Sequence, residues 1–177
     1  WPLRPAGQVC LCDRAAPAAA VHKVGSLTYN NHRGVDIRIR TLKQMEKGVA
    51  VVAADDGVVF NLRNDVQDQY FSDYSKEKQK EVFSKGLGNV VILHHGNGWN
   101  TFYAHLKKGS IKVVKGQRVS KGETLGYIGM SGLTDFPHLH FELRHNNARL
   151  DPFTGQEGQT ECGTFDRTYW SDHAIQQ

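Results

Sequence analysis

Apolar and polar positions alternate most cleanly in the stretch that begins at His138. Leu139, Phe141 and Leu143 fall on one side; His138, His140, Glu142 and Arg144 fall on the other. Period-two alternation predicts a half-buried strand, with one face on a core and two histidines presented to solvent. Same-face neighbours in a strand lie roughly 6–7 Å apart at Cα, so the two imidazoles are close. The pattern recurs at residues 35–40, where Val35, Ile37 and Ile39 alternate with Asp36, Arg38 and Arg40. It recurs again towards Leu106, with Phe102, Ala104 and Leu106 on the apolar side and Thr101, Tyr103 and His105 on the polar side. By this arithmetic His105 joins a polar face, as His138 and His140 do.

Other stretches fill in the architecture. Residues 48–60 are rich in Val and Ala and are broken by Asp55-Asp56-Gly57, a hairpin signal. The β-branched run at 89–95 is turned by Gly96-Asn97-Gly98 into the strand that carries His105. Residues 73–85 are charged and predict a helix, capped by Ser72 or Asp73 and stopped at Gly86. They belong to an insertion over about 65–85 that is expected to border the site as a loosely docked rim. Lys115-Gly116-Gln117-Arg118-Val119 and Lys121-Gly122-Glu123-Thr124-Leu125-Gly126 faintly echo Lys47-Gly48-Val49-Ala50-Val51, suggesting a duplicated β-element. Residues 1–25, with Pro2, Pro5 and Pro17, read as an irregular arm, 26–152 as the folded domain and 153–177 as a polar tail. The fold class is therefore mainly β, an antiparallel, sandwich-like domain with one helical insertion.

Composition narrows the function classes. A chain of 177 residues is long enough for one domain with a real core. No apolar run approaches the ~18 residues of a membrane span. There is no initiator Met or signal peptide, so Trp1 reads as a processed or trimmed start. The formal charge of +4 suits an anionic polymer such as a cell wall, and no basic-aromatic pattern points to nucleic acid. Cys10, Cys12 and Cys162 lack zinc-binding spacing. In an exported protein, Cys162 is expected to pair with Cys10 or Cys12, leaving one thiol over. A monomer is expected.

The polar-face residues supply the chemistry. His32 and Asp36 stand four apart, with Gly34 between them to let the chain bend and bring His32 onto the Asp36 side. With His140 they make two histidines and one carboxylate, the donor set of a catalytic zinc site with one position open to water. No His-Glu-x-x-His helix supplies the usual glutamate base; a neutral histidine near pH 7 can take that role. Glu142 and Arg144 share the His138 face, either steadying a ligand from behind or forming a simple salt bridge. Tyr103 reads as a groove-lining aromatic or an aid to the oxyanion. His22, His94, His95, His145 and His173 read as surface residues.

His32-Arg33-Gly34-Val35-Asp36, Ala53-Ala54-Asp55-Asp56-Gly57-Val58-Val59, Gly88-Asn89-Val90-Val91-Ile92, Tyr103-Ala104-His105-Leu106, Lys115-Gly116-Gln117-Arg118-Val119 and Pro137-His138-Leu139-His140-Phe141-Glu142 occur in that order. Over residues 30–152 the chain thus resembles the lysostaphin- and LytM-type zinc metallopeptidases, the peptidoglycan endopeptidases of family M23. The resemblance implies one zinc ion on His32, Asp36 and His140, with His105 and His138 as catalytic, non-ligand histidines. His138 is the first candidate for the base and His105 for the donor to the oxyanion or leaving amine; the sequence leaves their division open. The implied activity is hydrolysis of peptide cross-links in bacterial peptidoglycan, in a periplasmic or extracellular protein. The alternative is an inactive relative that binds wall or an amidase as a scaffold or activator. A lipoyl- or biotinyl-type carrier would need a lysine at the tip that Asp55-Asp56-Gly57 occupies. Two features depart from the family: Phe136 stands where members commonly have Gly, and the 65–85 insertion is long.

Overall fold

The computed structural model describes residues 34–152. His32, the arm, the tail and the three cysteines with their expected bridge lie outside the described residues. Nine strands are described: β1 (Val35–Arg38), β2 (Ala50–Val52), β3 (Gly57–Arg63), β4 (Asn89–Gly96), β5 (Trp99–Leu106), β6 (Arg118–Val119), β7 (Thr124–Tyr127), β8 (His138–His145) and β9 (Ala148–Leu150). Two helices accompany them, α1 (Leu42–Lys47) and α2 (Lys76–Ser84). A seven-stranded antiparallel sheet runs β1-β8-β5-β4-β3-β6, with β9 also on β8; β2 and β7 form a second, two-stranded sheet. The mainly antiparallel β expectation holds.

The alternation of β8 places Leu139, Phe141 and Leu143 in the core beside Val91 and Leu93 of β4, Tyr103 and Leu106 of β5, and Val51 and Leu125 of the small sheet. Burying each large aliphatic or aromatic side chain contributes about 1.5–3 kcal/mol. The core thus lies between the two sheets, and the other face of β8 is left to the polar residues. β5 covers one edge of β8; β1 and β9 share the other, β1 along residues 138–141 and β9 along 143–145.

Several local expectations need correction. Asp55-Asp56-Gly57 is not a hairpin tip: β2 pairs with β7 and β3 with β4 and β6, so this turn carries the chain from one sheet to the other. The turn between β4 and β5 is as read, with Asn97 and Gly98 both at positive φ, 47° and 80°. The two Lys-Gly units that echo each other contain β2 and β7, which pair together. Helix α1 was not foreseen, although Thr41 accepts from Gln44 N at 3.2 Å and Arg40 N donates to Gln44 Oε1 at 2.8 Å, a side-chain cap legible in Thr-x-x-Gln. Helix α2 begins later than predicted: Phe71–Asp73 is a short 3-10 turn, Tyr74 is extended, and Ser75 is the cap, accepting from Lys78 N at 3.3 Å.

The face assignment along β5 is also corrected. Tyr103 pairs with Phe141 and Ala104 with His140, so Thr101 and Tyr103 face the core while Phe102 and Ala104 face the histidines. Plain alternation would then send His105 to the core side. His105 instead adopts φ +56°, which breaks the alternation and returns its ring to the His138 side.

Candidate metal centre

The register of β1 on β8 builds the site. Asp36 lies opposite His140 and Arg38 opposite His138, so both side chains of β1 share the histidine face. Asp36 Oδ1 is 3.0 Å from His140 Nδ1 and 3.4 Å from His138 Nε2. The His105 ring centroid is 4.6 Å from that of His138 and 5.8 Å from that of His140. Ring nitrogens of the three histidines lie within 4.8 Å of one another. The three rings are buried rather than presented to solvent, with His138 only 1% exposed.

The bend expected at Gly34 concerns His32, outside the described residues; the described residues give Gly34 a further role. A Cβ there would run into the Phe141 carbonyl oxygen and come 2.8 Å from His140 Cε1 and Nε2. The residue is glycine because β1 must enter flush against the His140 ring, and lack of a side chain is what allows it.

Each histidine is fixed by a partner behind it. His105 Nδ1 meets the Ser131 carbonyl at 2.7 Å, and His138 Nδ1 meets the Phe136 carbonyl at 2.9 Å and the Thr134 hydroxyl at 3.2 Å. A carbonyl only accepts, so both rings carry a proton on Nδ1 and turn Nε2 toward the site. His140 is held the other way round. Its Nε2 donates to Glu142 Oε1 at 3.2 Å, and Glu142 Oε2 is gripped by Arg144, with Nε at 2.7 Å, and by Arg149 at 3.4 Å. The salt-bridge reading of Glu142 and Arg144 holds, and the same ion pair steadies the His140 ring from behind.

Titration follows from this packing. Burial, with the nearby His138 ring, lowers the His105 pKa to about 3, so it is neutral at ordinary pH. Burial also works to lower that of His140, but Asp36 and Glu142 outweigh it and leave it raised. For Glu142 burial works upward, and His140 and Arg144 leave the pKa lowered.

With Nε2 of His140 committed to Glu142, its Nδ1 lone pair faces a carboxylate oxygen at 3.0 Å. Two acceptors at that separation need a proton or a cation between them. One carboxylate oxygen and one imidazole nitrogen, with more imidazole nitrogen alongside, are donors suited to a divalent ion such as zinc. The residues present fit a metal.

Two expectations fail around this centre. Tyr103 neither lines a groove nor faces an oxyanion; it is 1% exposed, its hydroxyl taken by Ala54 N at 2.8 Å and Thr101 Oγ1 at 3.0 Å. His95 is half-buried and structural, bridging the Asp56 carbonyl at 2.6 Å and Thr101 Oγ1 at 2.7 Å; His94 is exposed as read, and His145 stacks on Trp99. His22 and His173 lie outside the described residues. The sequence reading also missed Ser131 and Thr134. Ser131 acts through its carbonyl, which no side-chain pattern reveals; Thr134, four residues before His138, was open to notice.

The model of peptidase family M23 matches residues 30–152. An uncharacterized metalloprotease of Haemophilus influenzae is 31% identical over 133 residues, covering 75% of this chain and 22% of the relative. The peptidoglycan DD-endopeptidase ShyA of Vibrio cholerae is 37% identical over 112 residues, covering 63% and 20%. The chain thus spans about a fifth of the length of these relatives. Among solved structures, a mutant catalytic domain of the prophage-encoded M23 protein EnpA from Enterococcus faecalis aligns with a TM-score of 0.52 at 24% identity, over 75% of this chain and 84% of that one. A zinc-containing peptidase from Vibrio cholerae aligns at 0.52 and 23% identity, over 92% and 39%. At these identities the two structures show a shared fold.

Proposed function

The chain belongs to peptidase family M23, and we propose that it is a zinc-dependent endopeptidase that hydrolyses peptide cross-links of bacterial peptidoglycan, acting after export. The observation that carries this reading is the convergence of Asp36 Oδ1 on His140 Nδ1, with the Nε2 atoms of His105 and His138 turned toward the same point. In this reading Asp36 and His140 hold the ion together with His32. Zinc bound there would lower the pKa of a water from ~15.7 toward ~7 and polarise the scissile carbonyl. The protein's own part is to place bases and donors. His105 and His138, each with Nδ1–H tied to a carbonyl, offer Nε2 to accept the proton of the attacking water and return it to the leaving amine. Glu142 fixes the His140 tautomer, and Gly34 keeps β1 close enough for Asp36 to reach.

The test is metal content and turnover measured side by side. Asp36→Ala and His140→Ala should lose most bound zinc. His105→Ala and His138→Ala should keep it but fall roughly 10²–10⁴-fold in rate on purified peptidoglycan. Normal zinc in Asp36→Ala would remove it from the ligand set. Zinc-loaded wild type that releases no peptide fragments, by mass analysis, would overturn the endopeptidase reading.

A further inference from the structure

We infer that Arg38 and Phe136 form a carboxylate-binding subsite beside the metal centre, selecting cross-links in which a free carboxylate flanks the scissile amide. The inference rests on the endopeptidase reading above and names the substrate class within it. The observation is a three-layer stack. The Phe136 ring lies 4.4 Å from the His138 ring, tilted by 31°, and the Arg38 guanidinium carbon lies 3.8 Å from the Phe136 centroid on β1. The sequence reading noted Phe136 as a departure from the family's common Gly. The structure gives that departure a partner, because the ring is the platform for a cation.

Stacking on an aromatic face leaves the rim of a guanidinium pointing outward, with paired N–H groups spaced for the two oxygens of a carboxylate. Arg38 is exposed and takes part in no ion pair among the described residues. Two acidic side chains of the neighbourhood are turned elsewhere, Asp36 to His140 and His138, and Asp135 to Ser72. The guanidinium is therefore held in place and its hydrogen-bonding edge is left for a ligand. Position sets what that ligand is. Arg38 lies two residues beyond Asp36 on the same face of β1, about 7 Å along the strand, or about two residues of an extended peptide. A substrate lying along the β1 edge with its amide at the metal centre would bring a carboxylate within about two residues of the cleaved bond under Arg38. A diamino acid that keeps a free carboxylate after its amine has been cross-linked meets this requirement. A bridge made of glycine alone offers nothing to it.

The experiment uses two cross-linked peptides identical except that the flanking carboxylate is free in one and amidated in the other. Zinc-loaded wild type is expected to favour the free acid in kcat/KM by about 10- to 100-fold, the range of hydrogen bonds to charged groups. Arg38→Gln should bring the ratio close to one, and Arg38→Lys should restore part of it. Phe136→Leu, which keeps apolar bulk but removes the ring, should lower the ratio. Binding of the corresponding cleavage products, free and amidated, is measured by calorimetry on the same proteins. Cleavage with no preference between acid and amide overturns the subsite and leaves the endopeptidase reading standing. An Arg38-dependent preference in product binding without any cleavage keeps the subsite and overturns the hydrolase. An equal loss on both substrates in Arg38→Gln assigns Arg38 a structural part and overturns the subsite.

Discussion

At the scale of single residues, the centre depends on what surrounds each histidine more than on the histidines themselves. His105 shows this most sharply. Its folded pKa of about 3 lies below the ordinary 6.5, so the unfolded chain takes up a proton first as pH falls. Its contribution to stability is full above about pH 6.5 and is lost progressively below it. His140 runs the other way: its raised pKa adds stability that is full below its ordinary value and lost as pH rises. Glu142, lowered, loses its contribution only as pH falls below its ordinary 4.5. Between pH 6.5 and 5 the decline therefore belongs to His105 among these three. In metal-stripped protein it should reach about 2 kcal/mol by pH 5. Urea midpoints at pH 7 and pH 5 check it. The wild type should fall and His105→Gln should stay nearly level; parallel falls would remove His105 as the cause. Gly34→Ala gives a second expectation: the added methyl meets the Phe141 carbonyl and the His140 ring, so zinc content should fall with stability. Zinc content at the wild-type level would refute the close-approach account.

At the scale of elements, legibility in the sequence followed the pattern each element left. β8 reads directly because its alternation runs unbroken and one of its faces is buried. Asp36 and His140 could be matched for the same reason: period two fixes which side chains share a face. β5 was misread because its outward side chains, Phe102 and Ala104, are apolar while Thr101 faces the core, and because a positive φ at His105 shifts the parity where it matters. No composition rule announces that φ. The Asp55-Asp56-Gly57 turn was misread because turn chemistry tells where a chain bends and not which strand it next pairs with. The insertion proved more firmly attached than its charged sequence implied. Phe71 N donates to the Thr134 carbonyl at 3.1 Å, Ser72 donates to Asp135 Oδ1 from N at 3.0 Å and from Oγ at 3.1 Å, and Leu133 N donates to the Gly86 carbonyl at 2.9 Å. At its far end Gly88, at φ +58°, lies against the Ser131 backbone so closely that a Cβ would collide with it. Segment 131–136 is the one whose carbonyls hold His105 and His138. The insertion is thus a brace for the histidines. Replacing only residues 76–84 by a Gly-Ser link should preserve turnover on a small soluble peptide. Asp135→Ala should cost about 1 kcal/mol of stability and lower kcat severalfold. An unchanged kcat would mean that the brace is not transmitted to the rings.

At the scale of the whole molecule, the proposed ion ties a sheet edge to its neighbour. β1 is a strand of four residues that pairs, among the described residues, only with β8, and one of its two outward side chains is Asp36, a proposed ligand. Short edge strands open at low free energy because a single ladder and few core contacts hold them. Val35 alone among the four is buried; Ile37 is 44% exposed. β8, by contrast, is flanked on both sides and contributes Leu139, Phe141 and Leu143 to the core. Metal bound across Asp36 and His140 should therefore suppress the local opening of β1. Binding stabilises the folded state by an amount set by concentration over Kd, about 2.7 kcal/mol at 100 times Kd. The amides of β1 that open locally should gain protection by that full amount, up to the global limit. Hydrogen exchange at pH 7 with and without zinc measures this. Without zinc, residues 35–38 should exchange faster than the middle of β4 and β5; zinc should slow them, and Asp36→Ala should abolish that slowing. Exchange at 35–38 as slow as in β4 and β5 without zinc would mean that β1 does not open on its own.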